Sequence, residues 1–174
     1  MKTRTEEILT VMRVLTWVAY IGLCINAGSV LLAYGLSCFI PEAAKNIYKG
    51  LDMYNLRQFG FMHYSLSVAL MAAVPILQAQ MCMLLIKVLS KLNMANPFTK
   101  YVASKIVSIS YILVGTWVVA VLAQAHDNWL QNELATIRIN EVEGLPLFMA
   151  GLVFIIAQVF KRGVEIQAEN DLTI

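Results

Sequence analysis

Between Arg13 and Glu42 the chain carries no charged side chain, and the same holds from Arg57 to Lys87, Lys105 to Asp127 and Glu143 to Lys161. Leu, Val, Ile, Ala, Met and aromatic residues fill these four gaps. A helix needs about 20 such residues to cross a bilayer core of roughly 30 Å. Inside lipid a lone strand would leave its backbone groups unpaired, so stretches of this kind must be helical. The pattern predicts four spans, near 12–38, 60–86, 102–125 and 144–161, within a single domain covering 1–174. The first span follows Lys2 and Arg4, as a signal peptide would. Its apolar stretch is too long for that role and ends without a small-x-small cleavage pair, so it reads as an uncleaved span.

Local signals refine the helix ends. Thr3-Arg4-Thr5-Glu6 fits a capping box, which starts the first helix ahead of the lipid. Asn96-Pro97-Phe98-Thr99 reads as an N-cap followed by Pro at the first helical position, so the third helix is expected to begin near Pro97. The second helix can run from about Gly60 to Leu92. At 1.5 Å per residue that is roughly 50 Å, longer than the lipid core, and the surplus projects as a short hairpin with the third helix. Pro75 should kink the second helix by removing one backbone hydrogen bond. In the first outer loop Ala44, Ile47, Tyr48, Leu51 and Tyr54 recur at helical spacing. In the second, Leu130, Leu134 and Ile137 do the same beside Trp129. Both predict short helices lying at the outer interface.

Composition agrees with this picture: hydrophobic residues make up 59% and charged residues 14% of the chain, against about 25% charged in an average soluble domain. Ordinary soluble enzymes, disordered tails and coiled coils are excluded. The net charge of +2 is too mild for a nucleic-acid surface, but its distribution is informative. Lys2, Arg4, Arg13, Lys87, Lys91, Lys100, Lys105, Lys161 and Arg162 would share one side of the membrane, against Lys45, Lys49, Arg57 and Arg138 on the other. By the positive-inside rule both termini are expected in the cytoplasm. Cys24, Cys38 and Cys82 all fall in apolar stretches and read as small hydrophobes, not as disulfide partners or metal ligands.

Small and polar side chains are expected to face the protein interior. The first helix offers Gly22, Asn26, Ser29, Ala33 and Ser37; the second His63, Ser67, Met71, Gln78 and Cys82; the third Ser104, Ser108, Tyr111 and Gly115; the fourth Gly151, Gln158, Arg162, Glu165 and Glu169. Four stripes on four helices predict an all-α, antiparallel four-helix bundle. A carrier or channel lined by Asn26, Ser29, His63, Ser67, Gln78 and Ser108 is the alternative function. Against it stands the absence of mid-membrane Asp, Glu, Lys or Arg, the usual marks of transport and proton-relay sites. His63 and His126 make at most two ligands for a metal. Met81-Cys82-Met83 point in different directions on a helix and read as packing. No catalytic or phosphate-binding motif is present, so no enzyme activity and no cofactor are expected.

The C-terminal segment 162–174 is expected to leave the membrane as a cytoplasmic tail. Glu165 and Glu169 lie on one helical face, Asn170-Asp171 is a plausible helix stop, and Leu172 and Ile174 alternate as in a short strand. The four-span layout, Asn96-Pro97-Phe98-Thr99, and Phe160-Lys161-Arg162-Gly163 followed by Glu165, Gln167 and 169–174 resemble the YoaS-like family of bacterial membrane proteins (DUF2975). That family has no assigned activity. The resemblance implies residence in the bacterial cytoplasmic membrane and a genetic neighbour that is a small helix-turn-helix regulator. The reading that follows is an interaction or regulatory protein embedded in the bilayer. Its cytoplasmic face would bind a partner of that regulator type through Asn96, Pro97, Phe98, Thr99, Arg162, Glu165, Glu169, Asn170, Asp171 and Ile174. No direct nucleic-acid contact is expected, and the small-residue faces leave room for a homodimer.

Overall fold

The computed structural model describes residues 4–92, 97–134 and 145–171, and their side chains except at 5, 132–134, 145, 146, 170 and 171. The described residues form five α-helices, α1 (Arg4–Phe39), α2 (Tyr54–Phe59), α3 (Phe61–Lys91), α4 (Lys100–Leu134) and α5 (Leu145–Asp171), with a 3-10 helix at Pro41–Asn46. No strand occurs among the described residues. Helices α1, α3, α4 and α5 are long and apolar enough to cross a membrane. Each contains one of the four uncharged stretches. Pro75 lies inside α3, where it removes one ladder hydrogen bond.

The chain divides into two compact units. One is formed by residues 22–77 and 116–143, and its core is made from both long helices and loop. Val30 of α1, Tyr64, Val68 and Ala72 of α3, and Leu130 of α4 pack with Ala44, Ile47, Met53 and Leu56. Two hydroxyl pairs cross this core: Ser37 Oγ lies 2.6 Å from Tyr64 Oη, and Tyr34 donates to Ser65 Oγ at 2.9 Å. Tyr34 also packs against the rings of Phe61 and Tyr64. The helical spacing of residues 44–54 does not produce one interfacial helix. Lys49 and Gly50 adopt positive φ, 46° and 83°, and the turn folds the segment back so that Met53 N–H donates to Ala44 O at 2.8 Å. Ala44 and Ile47 thereby enter the core. Glycine is needed at position 50, because an L side chain is strained in that conformation.

The second outer segment also departs from expectation. Trp129 and Leu130 belong to the last turns of α4 and not to a separate interfacial helix. Gln124-Ala125-His126-Asp127-Asn128 contains no Gly or Pro to break the ladder, so the helix simply continues. Ile137 lies outside the described residues.

The other unit comprises residues 1–21, 78–115 and 144–174. Its buried side chains include Thr16, Ile86, Val102, Ala103, Ile109, Ser110, Ala150 and Ala157. Arg13 donates through Nη2 to Leu89 O at 2.8 Å, tying α1 to the end of α3. Here too a helix start is corrected. α4 begins at Lys100, with Thr99 as its cap: Val102 N–H donates to Thr99 Oγ1 at 3.2 Å and Ala103 N–H to Thr99 O at 3.0 Å. Threonine is a preferred N-cap residue because its hydroxyl satisfies an otherwise orphaned first-turn N–H. The observed cap therefore sits three residues beyond the predicted one, and Asn96 is outside the described residues.

Of the four polar stripes, that of α3 faces inward: Ser67, Pro75 and Cys82 are buried. The α1 stripe runs along the edge of the buried face, with Ser37 buried, Asn26 and Ser29 half-buried, and Gly22 exposed. Those of α4 and α5 turn mostly outward. Ser104 and Tyr111 are exposed while Val102, Ala103, Ile109 and Ser110 are buried; Gly151, Gln158, Arg162, Glu165 and Glu169 are all exposed. A helical serine can satisfy itself by donating to a carbonyl one turn back, as Ser108 does to Ser104 O at 3.0 Å. Arg162 and Glu165 pair with each other at 2.8 Å. Neither stripe needs protein on its polar side.

Candidate functional site

The two motifs that stand out in the sequence, Asn96-Pro97-Phe98-Thr99 and Phe160-Lys161-Arg162-Gly163, meet within one unit. Thr99 fixes the start of α4, and its backbone N–H donates to Pro97 O at 3.1 Å, which holds Phe98 between a rigid ring and a cap. The Phe98 ring lies directly on Gly163 of α5. A Cβ at Gly163 would stand 2.5 Å from Phe98 Cδ1 and 2.8 Å from Cγ. The ring also packs against Phe160, centroid to centroid at 5.3 Å and tilted by 56°. Residues three apart on a helix share a face, so Phe160 and Gly163 form a step into which Phe98 fits. Glycine is required at 163 by this close approach, not by backbone conformation.

Around this contact the surface is polar. Lys100, Ser104, Lys161 and Glu165 line an open hollow of about 310 Å³ together with Ala103 and Val164. Arg162 and Glu165, both exposed, form an i, i+3 pair. Lys105 sits over the Tyr101 ring, 5.6 Å from its centroid. Among the described residues, the eight Lys and Arg assigned to one side by charge counting belong to this unit, and Lys45, Lys49 and Arg57 belong to its companion.

The structure thus brings Pro97, Phe98 and Thr99 together with Arg162 and Glu165. Glu169 lies further along the exposed side of α5. Asn170 and Asp171 are the last residues of α5, with side chains outside the described set, and Ile174 is outside it altogether. Phe160, Gly163 and Lys100 were not among the predicted interaction residues. The signal for Gly163 was a glycine inside a strong helix, which usually marks a packing contact; its partner could not be read from spacing.

Residues of the alternative conduit engage locally. Ser29 Oγ donates to Asn26 O at 2.8 Å, and Ser108 is satisfied by its own helix. Ser67 is buried with its hydroxyl unpaired. His63 stacks on His126 at 5.7 Å and packs on Trp129 at 4.9 Å. No group of three or more metal-binding side chains converges among the described residues.

Four long apolar helices with an exposed polar end define a multi-pass helical membrane protein. The sequence profile of DUF2975, described as a protein of unknown function, matches residues 55–174, and the chain belongs to that family. The match includes Phe98, Phe160 and Gly163. No curated protein and no solved structure matches the chain.

Proposed function

We propose that this protein is a membrane-embedded interaction protein of the bacterial cytoplasmic membrane. Its spans form an antiparallel bundle with both chain ends in the cytoplasm. The inner face, built from the loop before α4 and the exposed end of α5, holds a soluble partner such as a small helix-turn-helix regulator. The Phe98–Gly163 contact carries this reading. It joins two distinctive motifs of the sequence at a partly exposed surface, with Phe98 itself 37% accessible.

Charge supports the same orientation. Eight described basic residues belong to the unit that holds this surface, which is the asymmetry expected of a cytoplasmic face. Arg162, Glu165 and Glu169 would supply charged contacts at its rim, while Phe98 offers an aromatic anchor of the kind that dominates interface energetics.

The test is co-purification from native membranes of a soluble partner of the small helix-turn-helix type. Full-length protein, a version lacking residues 170–174 and Phe98→Ala are compared, each checked for membrane insertion. Recovery should fall at least tenfold, which is about 1.4 kcal/mol, in both altered proteins. Undiminished recovery in both would remove the inner face from the interaction.

A further inference from the structure

Two hollows open along the contact between α4 and α5. The first is the 310 Å³ hollow with Lys100, Ser104 and Lys161 at its mouth. The second, about 370 Å³, carries no charge and is lined by Tyr111, Val114, Leu147, Ala150, Gly151 and Phe154 with Ser110. A helix turns about 100° per residue. Lys100, Ser104 and Tyr111 therefore fall within about 40° of one another on α4, and Lys161, Phe154 and Leu147 within about 40° on α5. Both hollows thus lie on the same side of the helix pair, one basic and the other apolar, in line as a furrow along α4 and α5. From Lys100 to Val114 the furrow runs roughly 21 Å at 1.5 Å per residue. That equals one leaflet of a bilayer about 40–45 Å thick with its headgroups.

We propose that the furrow holds one anionic phospholipid. Lys100 and Lys161 receive its phosphate, Ser104 offers a hydroxyl donor, and one acyl chain runs past Tyr111, Val114 and Phe154 over the gap that Gly151 leaves. Glu165 also lines the basic end, but Arg162 neutralises it at 2.8 Å. The apolar continuation selects a lipid over free phosphate, because phosphate would use only the first hollow. Basic pockets between membrane helices are a known way to recognise anionic headgroups. The inference needs only helices that cross a bilayer, and stands whether or not the inner face binds a protein.

The experiment offers the detergent-purified full chain equal amounts of phosphatidylglycerol and phosphatidylcholine with identical acyl chains, and reads retained lipid by native mass spectrometry. Wild type should retain the anionic lipid preferentially, by on the order of tenfold for two lysines at low salt. Lys100→Gln with Lys161→Gln should abolish the preference. Lys87→Gln with Lys91→Gln, two exposed lysines elsewhere in the same unit, should leave it intact. Gly151→Leu, whose new side chain enters open space, should lower retention of both lipids at least severalfold. Inorganic phosphate should not raise the melting temperature as the anionic lipid does. Equal retention of the two lipids by wild type, equal losses from both lysine pairs, or full stabilisation by phosphate alone would each overturn the proposal.

Discussion

Replacing Gly163 by alanine sets two physical effects against each other, and the structure predicts which wins. In an exposed helix the change stabilises, because alanine is a better helix former than glycine by up to about 1 kcal/mol. Here the added methyl would stand 2.5, 2.8 and 2.9 Å from Cδ1, Cγ and Cε1 of Phe98, where ordinary contact needs 3.4 Å or more. The ring must move by about an ångström. Its backbone cannot follow easily, since Pro97 and the Thr99 cap flank it. The ring would swing away instead and weaken its contact with Phe160, and such aromatic pairs are worth about 0.5–1.5 kcal/mol beyond buried area. Overpacking of this kind typically costs about 1–3 kcal/mol. Gly163→Ala should therefore destabilise the protein by up to about 2 kcal/mol once the helix gain is subtracted. At roughly 2–4 °C per kcal/mol for a chain of this size, the melting temperature should drop by several degrees.

The decisive measurement is a double-mutant cycle. In a Phe98→Ala background the obstruction is gone, so Gly163→Ala should reverse sign and stabilise by up to about 1 kcal/mol. Thermal unfolding of the four proteins in one detergent gives the coupling, expected at about 1–3 kcal/mol. If Gly163→Ala stabilises both backgrounds equally, the Phe98 ring does not lie on Gly163 and the composite inner surface dissolves with it.

Tyr64→Phe removes the hydroxyl that meets Ser37 Oγ at 2.6 Å and should cost about 0.5–1.5 kcal/mol in unfolding experiments; no change would mean the pair contributes nothing net. Thr99→Ala should cost about 1 kcal/mol as a lost cap while Thr99→Ser retains most of it, a contrast that side-chain size alone would not give. Gly50→Ala meets no neighbour, yet should cost about 1 kcal/mol because its φ of 83° disfavours a Cβ. Buried Cys82, left as the sole thiol after Cys24→Ser and Cys38→Ser, should resist a membrane-impermeant maleimide until the protein is unfolded; prompt labelling would point to a water-filled path.

The long helices were readable in the sequence because lipid forbids most other structures: an uncharged stretch of sufficient length has one fold available to it. What the pattern could not convey was orientation around each helix axis. In α3 the polar face and the packed face coincide, so Ser67 and Cys82 were placed well. In α4 and α5 they do not. Ser108 bonds its own helix and Arg162 bonds Glu165, and a polar side chain that satisfies itself carries no information about its neighbours. Glycine and alanine marked the contacts better, through Ala150, Ala157 and Gly163. The first outer loop failed for a related reason. Its helical periodicity was real, but Lys49 and Gly50 turn the chain back, so residues spaced for a surface helix became core. At the candidate site, the two motifs were visible separately; the fit of one aromatic ring against one glycine depends on distance in space, which spacing along the chain does not encode.

α5 rests on its own unit through little more than small side chains. Among its described residues only Ala150 and Ala157 are buried, with Val153, Phe160, Gly163, Val164 and Gln167 half-buried. Shallow contacts come apart at less cost than deep leucine-filled ones. On warming, this last helix should peel away before α3, and deuterium should enter the backbone of its exposed end before that of α3. The proposed binding surface, built partly on such a loosely moored rod, could be assembled or dismantled without disturbing the rest of the protein.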